Sequence, residues 1–267
     1  MNRIAVLTIA IGLSAAIHGI ARADEDQSEA AKIAQNPIAN LISVPLQTNT
    51  NLNYGPERET QDVLNVQPVI PFSLSENWNL VTRTIVPVIS NPAFSADGSR
   101  TDGIGDVLFT AFFSPAHASG WIWGAGPAIQ VPTHSADLGN DNWGVGPSFA
   151  ILHLAKGNPW VVGVLINNVW SVGNSDPRDY NKGLVQPFIN YNLAKGWYLV
   201  SSPIITVDWK ARGSQQWTVP AGGGVGKLAH LGPLPVNLQL AGYYNVAKPD
   251  FASNWQVRTQ VQFLFPK

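Results

Sequence analysis

The stretch Trp197 to Trp209, WYLVSSPIITVDW, decides the fold. Its odd positions are Trp197, Leu199, Ser201, Pro203, Ile205, Val207 and Trp209, while the even ones include Tyr198, Ser202, Thr206 and Asp208. Alternation of period two is the mark of a β-strand with two unlike faces. Twelve steps at about 3.3 Å give roughly 40 Å, and a tilt near 45° projects this to about 28 Å, the thickness of a bilayer core. The Trp residues at both ends have amphipathic rings that settle at the two membrane interfaces.

Other segments repeat the pattern. Trp255, Val257, Thr259, Val261, Phe263 and Phe265 oppose Gln256, Arg258, Gln260 and Gln262, a face unfit for lipid. Val236, Leu238, Leu240, Tyr244 and Val246 oppose Asn237, Gln239, Tyr243 and Asn245, and Trp160 and Trp170 bracket Val162, Val164 and Ile166. Strands of a soluble sandwich also alternate, but need only about 5 to 6 residues. Twelve such segments follow along the chain: 41–52, 61–72, 77–90, 103–114, 120–132, 143–155, 159–171, 182–193, 196–209, 217–229, 234–246 and 254–265. Short turns (73–76, 115–119, 156–158, 194–195, 230–233) alternate with longer polar loops, as in outer-membrane barrels. The expected fold is therefore all-β: a single antiparallel up-and-down transmembrane β-barrel of about twelve strands over residues 41–267. Trp78, Trp160, Trp170, Trp197, Trp209, Trp217 and Trp255 are its interface aromatics. A propeller of the same hairpin period would need four shorter strands per repeat.

Composition agrees with this reading. Charged residues make up 12% of 267, against about 25% in soluble domains. Sixteen Lys+Arg against seventeen Asp+Glu exclude a generic nucleic-acid surface, and zero Cys excludes disulfides, Cys-ligated metals and thiol nucleophiles. Val107 to Val131 contains no charged residue, but Ser114-Pro115 and Ser119-Gly120 cut it into two strands around a turn.

Residues 1–23 carry Arg3, an apolar run from Ile4 to Ile20, and Ala21-Arg22-Ala23, the parts of a secretory signal cleaved after Ala23. Residues 24–40 then form a periplasmic leader, within which 28–34 suit a short helix. A solvated leader is the default, and a plug in the barrel's periplasmic mouth is the alternative.

Eight prolines interrupt the expected strands: Pro45, Pro68, Pro87, Pro127, Pro147, Pro187, Pro203 and Pro220. Each removes a ladder hydrogen bond in a sheet that has no free edge, so bulges or local unpairing are expected. By parity Arg83, Asp106, Asp208 and Arg258 face the lumen, with Gln186, Asn190, Asn237, Gln239, Gln256, Gln260 and Gln262. Two positive and two negative charges make no filter for one ion sign. Val69, Leu108, Phe112 and Phe188 share those faces, so the lining is mixed apolar and amide. A filled interior and a narrow pathway fit it equally.

Little here carries chemistry. Gly222 to Gly226 lies between strands, without the helix N-terminus a phosphate cradle needs. His134-Ser135, with Asp137 and Asn140 nearby, is the one adjacent pair that could serve a barrel-mounted hydrolase. Solvent exposure in a polar loop is the ordinary explanation of that pair. No His spacing suggests a metal, and no cofactor is expected.

Several motifs carry a resemblance: Asn36-Pro37-Ile38-Ala39-Asn40-Leu41-Ile42-Ser43-Val44-Pro45, Gly103-Ile104-Gly105-Asp106, Gly126-Pro127, Pro132-Thr133, Trp217-Thr218-Val219-Pro220, Gly222-Gly223-Gly224-Val225-Gly226-Lys227, Tyr243-Tyr244-Asn245 and Leu264-Phe265-Pro266-Lys267. Together they resemble a Gram-negative outer-membrane family named for the meta-pathway of phenol degradation and often mislabelled neuromedin U. The resemblance implies a barrel and a transport role, without an agreed substrate or catalytic residue. The expected function is that of a porin-like channel or transporter, not an enzyme, passing a small, aromatic or weakly polar solute. A barrel-mounted hydrolase and a non-conducting structural or adhesive barrel are the alternatives. Expected partners are outer-membrane lipid, the solute and the barrel-assembly machinery.

Overall fold

Alternating side chains make ribbons with one wet and one dry face, and such ribbons are satisfied only when the sheet closes on itself. The computed structural model describes residues 27–94, 98–173 and 179–265. The export signal at 1–23 and the terminal Pro266-Lys267 lie outside the described residues. The strands are β1 (Ile42–Tyr54), β2 (Glu59–Val66), β3 (Val69–Ser73), β4 (Trp78–Asn91), β5 (Thr101–Ile104), β6 (Val107–Pro115), β7 (Gly120–Val131) and β8 (Trp143–Leu154). They continue as β9 (Trp160–Val172), β10 (Asn181–Asn192), β11 (Trp197–Ser201), β12 (Ile205–Asp208), β13 (Trp217–Leu231), β14 (Leu234–Ala247) and β15 (Trp255–Phe265). Sequential neighbours pair antiparallel, and β1 pairs β15 from Ile42↔Phe265 to Leu52↔Trp255, which closes the barrel. The result is a 12-stranded closed barrel in which β2/β3, β5/β6 and β11/β12 are single staves broken in two.

Prolines lie at those breaks. Pro68 separates β2 from β3, and Pro87 stands across from the β5/β6 break, where its carbonyl accepts from Gly105 N–H at 2.8 Å. Pro187 opposes the gap around Pro203, since Val185↔Ile205 and Ile189↔Ser201 hold one register on either side. Neither proline has an N–H to give, so the ninth stave, β11/β12, parts there. Pro127 pairs directly with Pro147, and the missing bonds appear on their outer sides. There β6 and β7 skip from Thr110↔Ala128 to Phe113↔Ala125, and β8 and β9 skip from Val145↔Trp170 to Ser148↔Asn167. Pro220 sits at a register shift, and Pro45 faces a gap where only Gln67 N–H reaches its carbonyl.

The outer face is apolar and the seven named Trp residues all lie on it, 37% to 51% exposed. Trp78, Trp160 and Trp197 begin strands at the short-turn end, where Trp78 packs edge-on against Trp123 at 6.0 Å. Trp170, Trp209, Trp217 and Trp255 stand at the long-loop end, where Trp209 and Trp217 pack at 5.6 Å. Lys227 lies on the outer face at the short-turn end, its Nζ 4.9 Å from the Trp197 ring centre, a long cation reaching for an interface.

Inside, Ile38, Val69, Val81, Phe112, Leu152, Val161, Leu165 and Phe188 form one buried apolar cluster against the β3, β4, β6 and β8 to β10 wall. The opposite wall carries Asn237, Gln239, Gln260 and Gln262 beside Tyr198, Tyr243 and Arg258.

Candidate functional site

The described chain begins with a helix over residues 27–34, which lies across the short-turn end of the barrel. Ala31 and Ala34 are small enough to let it settle on Leu228 and Leu264. Gln27 Nε2 donates to Leu228 O at 3.1 Å, and Gln35 Nε2 donates to Asn192 Oδ1 at 2.8 Å. Lys32, 2% exposed, donates to Ala155 O at 2.9 Å and Asn158 O at 3.1 Å while pairing with Glu29 at 2.6 Å. Four groups, from β13, β10 and the 155–158 turn, thus hold this short segment. The chain then dips inward, and Ile38 joins the apolar cluster. Full burial of such a side chain is worth about 1.5–3 kcal/mol.

Glu29 gives this contact a pH dependence. Burial pushes its carboxyl up, but Lys32, the Gly157 N–H and Lys156 outweigh that and hold it below its ordinary value of 4.5. A lowered folded-state value means that the docked helix gains from Glu29 above pH 4.5 and loses that gain as pH falls through the lower, docked value. Acidification below that point should raise protease cleavage within residues 27–40, and Glu29→Gln should remove the acid step while leaving cleavage at neutral pH modestly higher.

Above the helix lies a cavity of about 130 Å³. Gln35, Asn36 and Pro37 form its floor, and Gln186, Asn190, Asn237, Gln239, Gln260 and Gln262 line it together with Arg83, Val69, Leu165 and Phe188. Arg83 reaches Gln67 Oε1 at 2.5 Å.

The roof depends on the broken β11/β12 stave. Ser202, freed from the ladder beside Pro203, offers its carbonyl to Arg258 Nη1 at 2.7 Å and its N–H to Tyr243 Oη at 3.2 Å. Arg258 also donates to Asn49 at 3.1 Å and Gln256 at 3.0 Å and lies 4.8 Å from the Tyr243 ring centre. It is 1% exposed, so this guanidinium is a fixed chord between β15 and the β11/β12 break. Gln256 in turn donates to Asn51 at 3.0 Å, above the cavity.

Nearer the floor, Tyr198 lies flat against β13. Its hydroxyl donates to Asn237 Oδ1 at 2.8 Å, and a Cβ at Gly226 would fall 2.1 Å from its ring. Within the Gly-rich run it is Gly226 that beds the tyrosine, while a Cβ at Gly222 or Gly224 would meet the β14 backbone.

The two acids sit elsewhere, toward the long loops. Asp106, in the β5/β6 break, accepts from His134 Nδ1 at 2.9 Å, Gln130 Nε2 at 3.1 Å and Asn140 N–H at 2.7 Å, pinning the 132–142 loop. Nearby Tyr180 is pushed up to about 12, first by burial and then by the Asp106 charge. Asp208 Oδ1 accepts from Lys210 N–H at 3.0 Å at the end of β12. His134 Nε2 faces Asp141 at 3.4 Å, and the Ser135 hydroxyl accepts from Ile104 N–H at 3.3 Å. That geometry joins His134 to two carboxylates and turns Ser135 to the backbone, which is no nucleophile and base pair. Among the described residues no group of His, Asp and Glu is arranged to hold a metal ion.

Sequence reasoning passed over Lys32, Ile38, Asn49, Ser202 and Tyr198 as a set. The break at Pro203 was the available signal for Ser202, because a residue beside an in-strand proline keeps a backbone N–H and carbonyl free of the ladder.

A closed barrel with interface aromatics, a capped end and a polar interior defines an outer-membrane-type barrel protein. A family model described as "Putative MetA-pathway of phenol degradation" matches residues 58–267, and the chain belongs to that family. No curated protein sequence matches this chain. Among solved structures, an outer membrane channel from Pseudomonas putida F1 is similar at TM-score 0.63 and 18% identity, covering 86% of this chain and 97% of that one. The outer membrane phospholipase A from Escherichia coli aligns at TM-score 0.46 and 15% identity over 85% of this chain and 92% of that one. The P. putida toluene transporter TodX aligns at TM-score 0.37 and 11% identity over 88% and 90%.

Proposed function

We propose that the protein is an outer-membrane channel that passes a small, weakly polar or aromatic solute through its lumen. One observation carries this reading: a polar cavity enclosed between two non-covalent closures, the 27–38 segment below and the Arg258 chord above. A merely structural barrel gains nothing from leaving amides around an internal space, whereas a pathway needs weak sites that bind and release. At about 130 Å³ the cavity is smaller than ordinary ligand pockets of about 300 Å³ and more, so passage requires at least one closure to move. Arg83, Gln186, Asn190, Asn237, Gln239 and Gln260 are the lining residues a solute would meet, with Arg258 and Gln256 at the gate and Asp106 and Asp208 toward the loops. Export by the 1–23 signal, insertion by the assembly machinery and lipid contact at the Trp girdles belong to the same proposal.

The test is single-channel recording of the refolded mature chain in a planar bilayer, beside solute-driven swelling of liposomes. Small, infrequent currents and swelling with small aromatic solutes are expected from the closed geometry. Stable insertion with neither current nor swelling would favour a structural role.

A further inference from the structure

Two polar groups that line the cavity are incompletely met. Arg83 carries five N–H donors, yet among the described residues its guanidinium bonds only the neutral Gln67 Oε1. No Asp or Glu lines the cavity. On β10, five staves round the closed sheet, Asn190 is 4% exposed and its Oδ1 is buried without a hydrogen-bond partner. Arg258 differs, since all three of its guanidinium nitrogens meet oxygens. Arg83 is half-buried, and a cation held in the lumen without a counter-ion, like a buried acceptor without a donor, is costly and calls for a partner.

We infer that this cavity is a binding site for a small hydroxylated carboxylic acid, its carboxylate on Arg83 and its hydroxyl donating to Asn190 Oδ1. Water would serve Asn190, but it would leave Arg83 without a neutralising charge. A carboxylate supplies that charge and takes the guanidinium in a two-pronged, charge-assisted pair. Between the two polar ends, Val69, Leu165 and Phe188 offer an apolar wall to the ligand's body. The volume of about 130 Å³ limits that body to one small ring or its equivalent, since a cavity of about 150 Å³ accommodates benzene. The inference deepens the channel reading and rests on it by making the lumen site selective for organic anions.

The experiment is calorimetric titration of the refolded full mature chain in detergent with 4-hydroxybenzoate, benzoate and 4-hydroxybenzyl alcohol. The wild type should bind 4-hydroxybenzoate most tightly and lose affinity as salt rises. Arg83→Gln should weaken both carboxylates at least about tenfold and leave the alcohol unchanged. Arg83→Lys should retain part of the carboxylate preference. Asn190→Leu should bring 4-hydroxybenzoate down to the level of benzoate. Heat-modifiable electrophoretic migration identifies any variant that fails to fold, and Arg83→Lys then carries the comparison. Equal affinity for acid and alcohol, or undiminished acid binding by folded Arg83→Gln, overturns the site. Conductance without binding sinks this inference and spares the channel, whereas binding without any conductance does the reverse.

Discussion

Removing residues 24–37 from the mature chain should raise single-channel conductance several-fold and lengthen the open time, with the barrel still folded. Three residues of that segment form the cavity floor, and it meets the barrel through contacts that the strands do not need for their own ladder. A point substitution separates this from a truncation artefact. Ile38→Asp places a carboxylate in the cluster of Val69, Val81, Phe112 and Phe188, where an ion is far costlier than the apolar contact it replaces. The segment should then leave the lumen, and the conductance of the full-length variant should approach that of the truncated chain. Equal currents from wild type and both variants would place the limiting constriction at the Arg258 chord instead.

Gly226→Leu should abolish most refolding into the heat-modifiable form. A Cβ at that position would lie 2.1 Å from the Tyr198 ring, and the adjoining ring atoms are nearly as close. Tyr198 is 2% exposed and tied by its hydroxyl to Asn237, so its ring can move only into the cavity and only by breaking that bond. Overpacking of this kind costs about 1–3 kcal/mol, and the broken buried hydrogen bond adds about 1 kcal/mol. The double variant Gly226→Leu with Tyr198→Ala should recover folding, because the added volume then occupies the vacated space. Failure of the double variant would mean that Gly226 is required for strand geometry and not for the tyrosine.

Much of the barrel was legible because the reporting signals are local. Parity along Trp255–Phe265 and Leu234–Ala247 separates lipid from lumen, and strand ends fall within about two residues of the Trp and turn positions that mark them. The prolines were visible as a difficulty but not as a solution. That Pro187 opposes the gap at Pro203, and Pro127 opposes Pro147, follows from registers between different strands, which no single segment encodes. Parity assigned the amides a face, whereas the separation of the acids from Arg83 was not legible. Parity reports which face a side chain takes and says nothing of its height in the barrel or of the neighbour it meets. Asp106 thus shares a parity class with Arg83 yet serves the 132–142 loop.

The sequence alone determined the strand count and the closed antiparallel architecture, because alternation and chain length act residue by residue. Tertiary structure decided the state of the lumen. Arg258 reaches Ser202 across 56 residues, Lys32 reaches Ala155 across 123 and Gln27 reaches Leu228 across 201. Contacts of that span depend on which staves closure brings face to face and on how far each side chain extends into the space between them. The same alternating pattern permits an empty lumen or a filled one. Interior volume, together with the need to satisfy every buried polar group, selects between them.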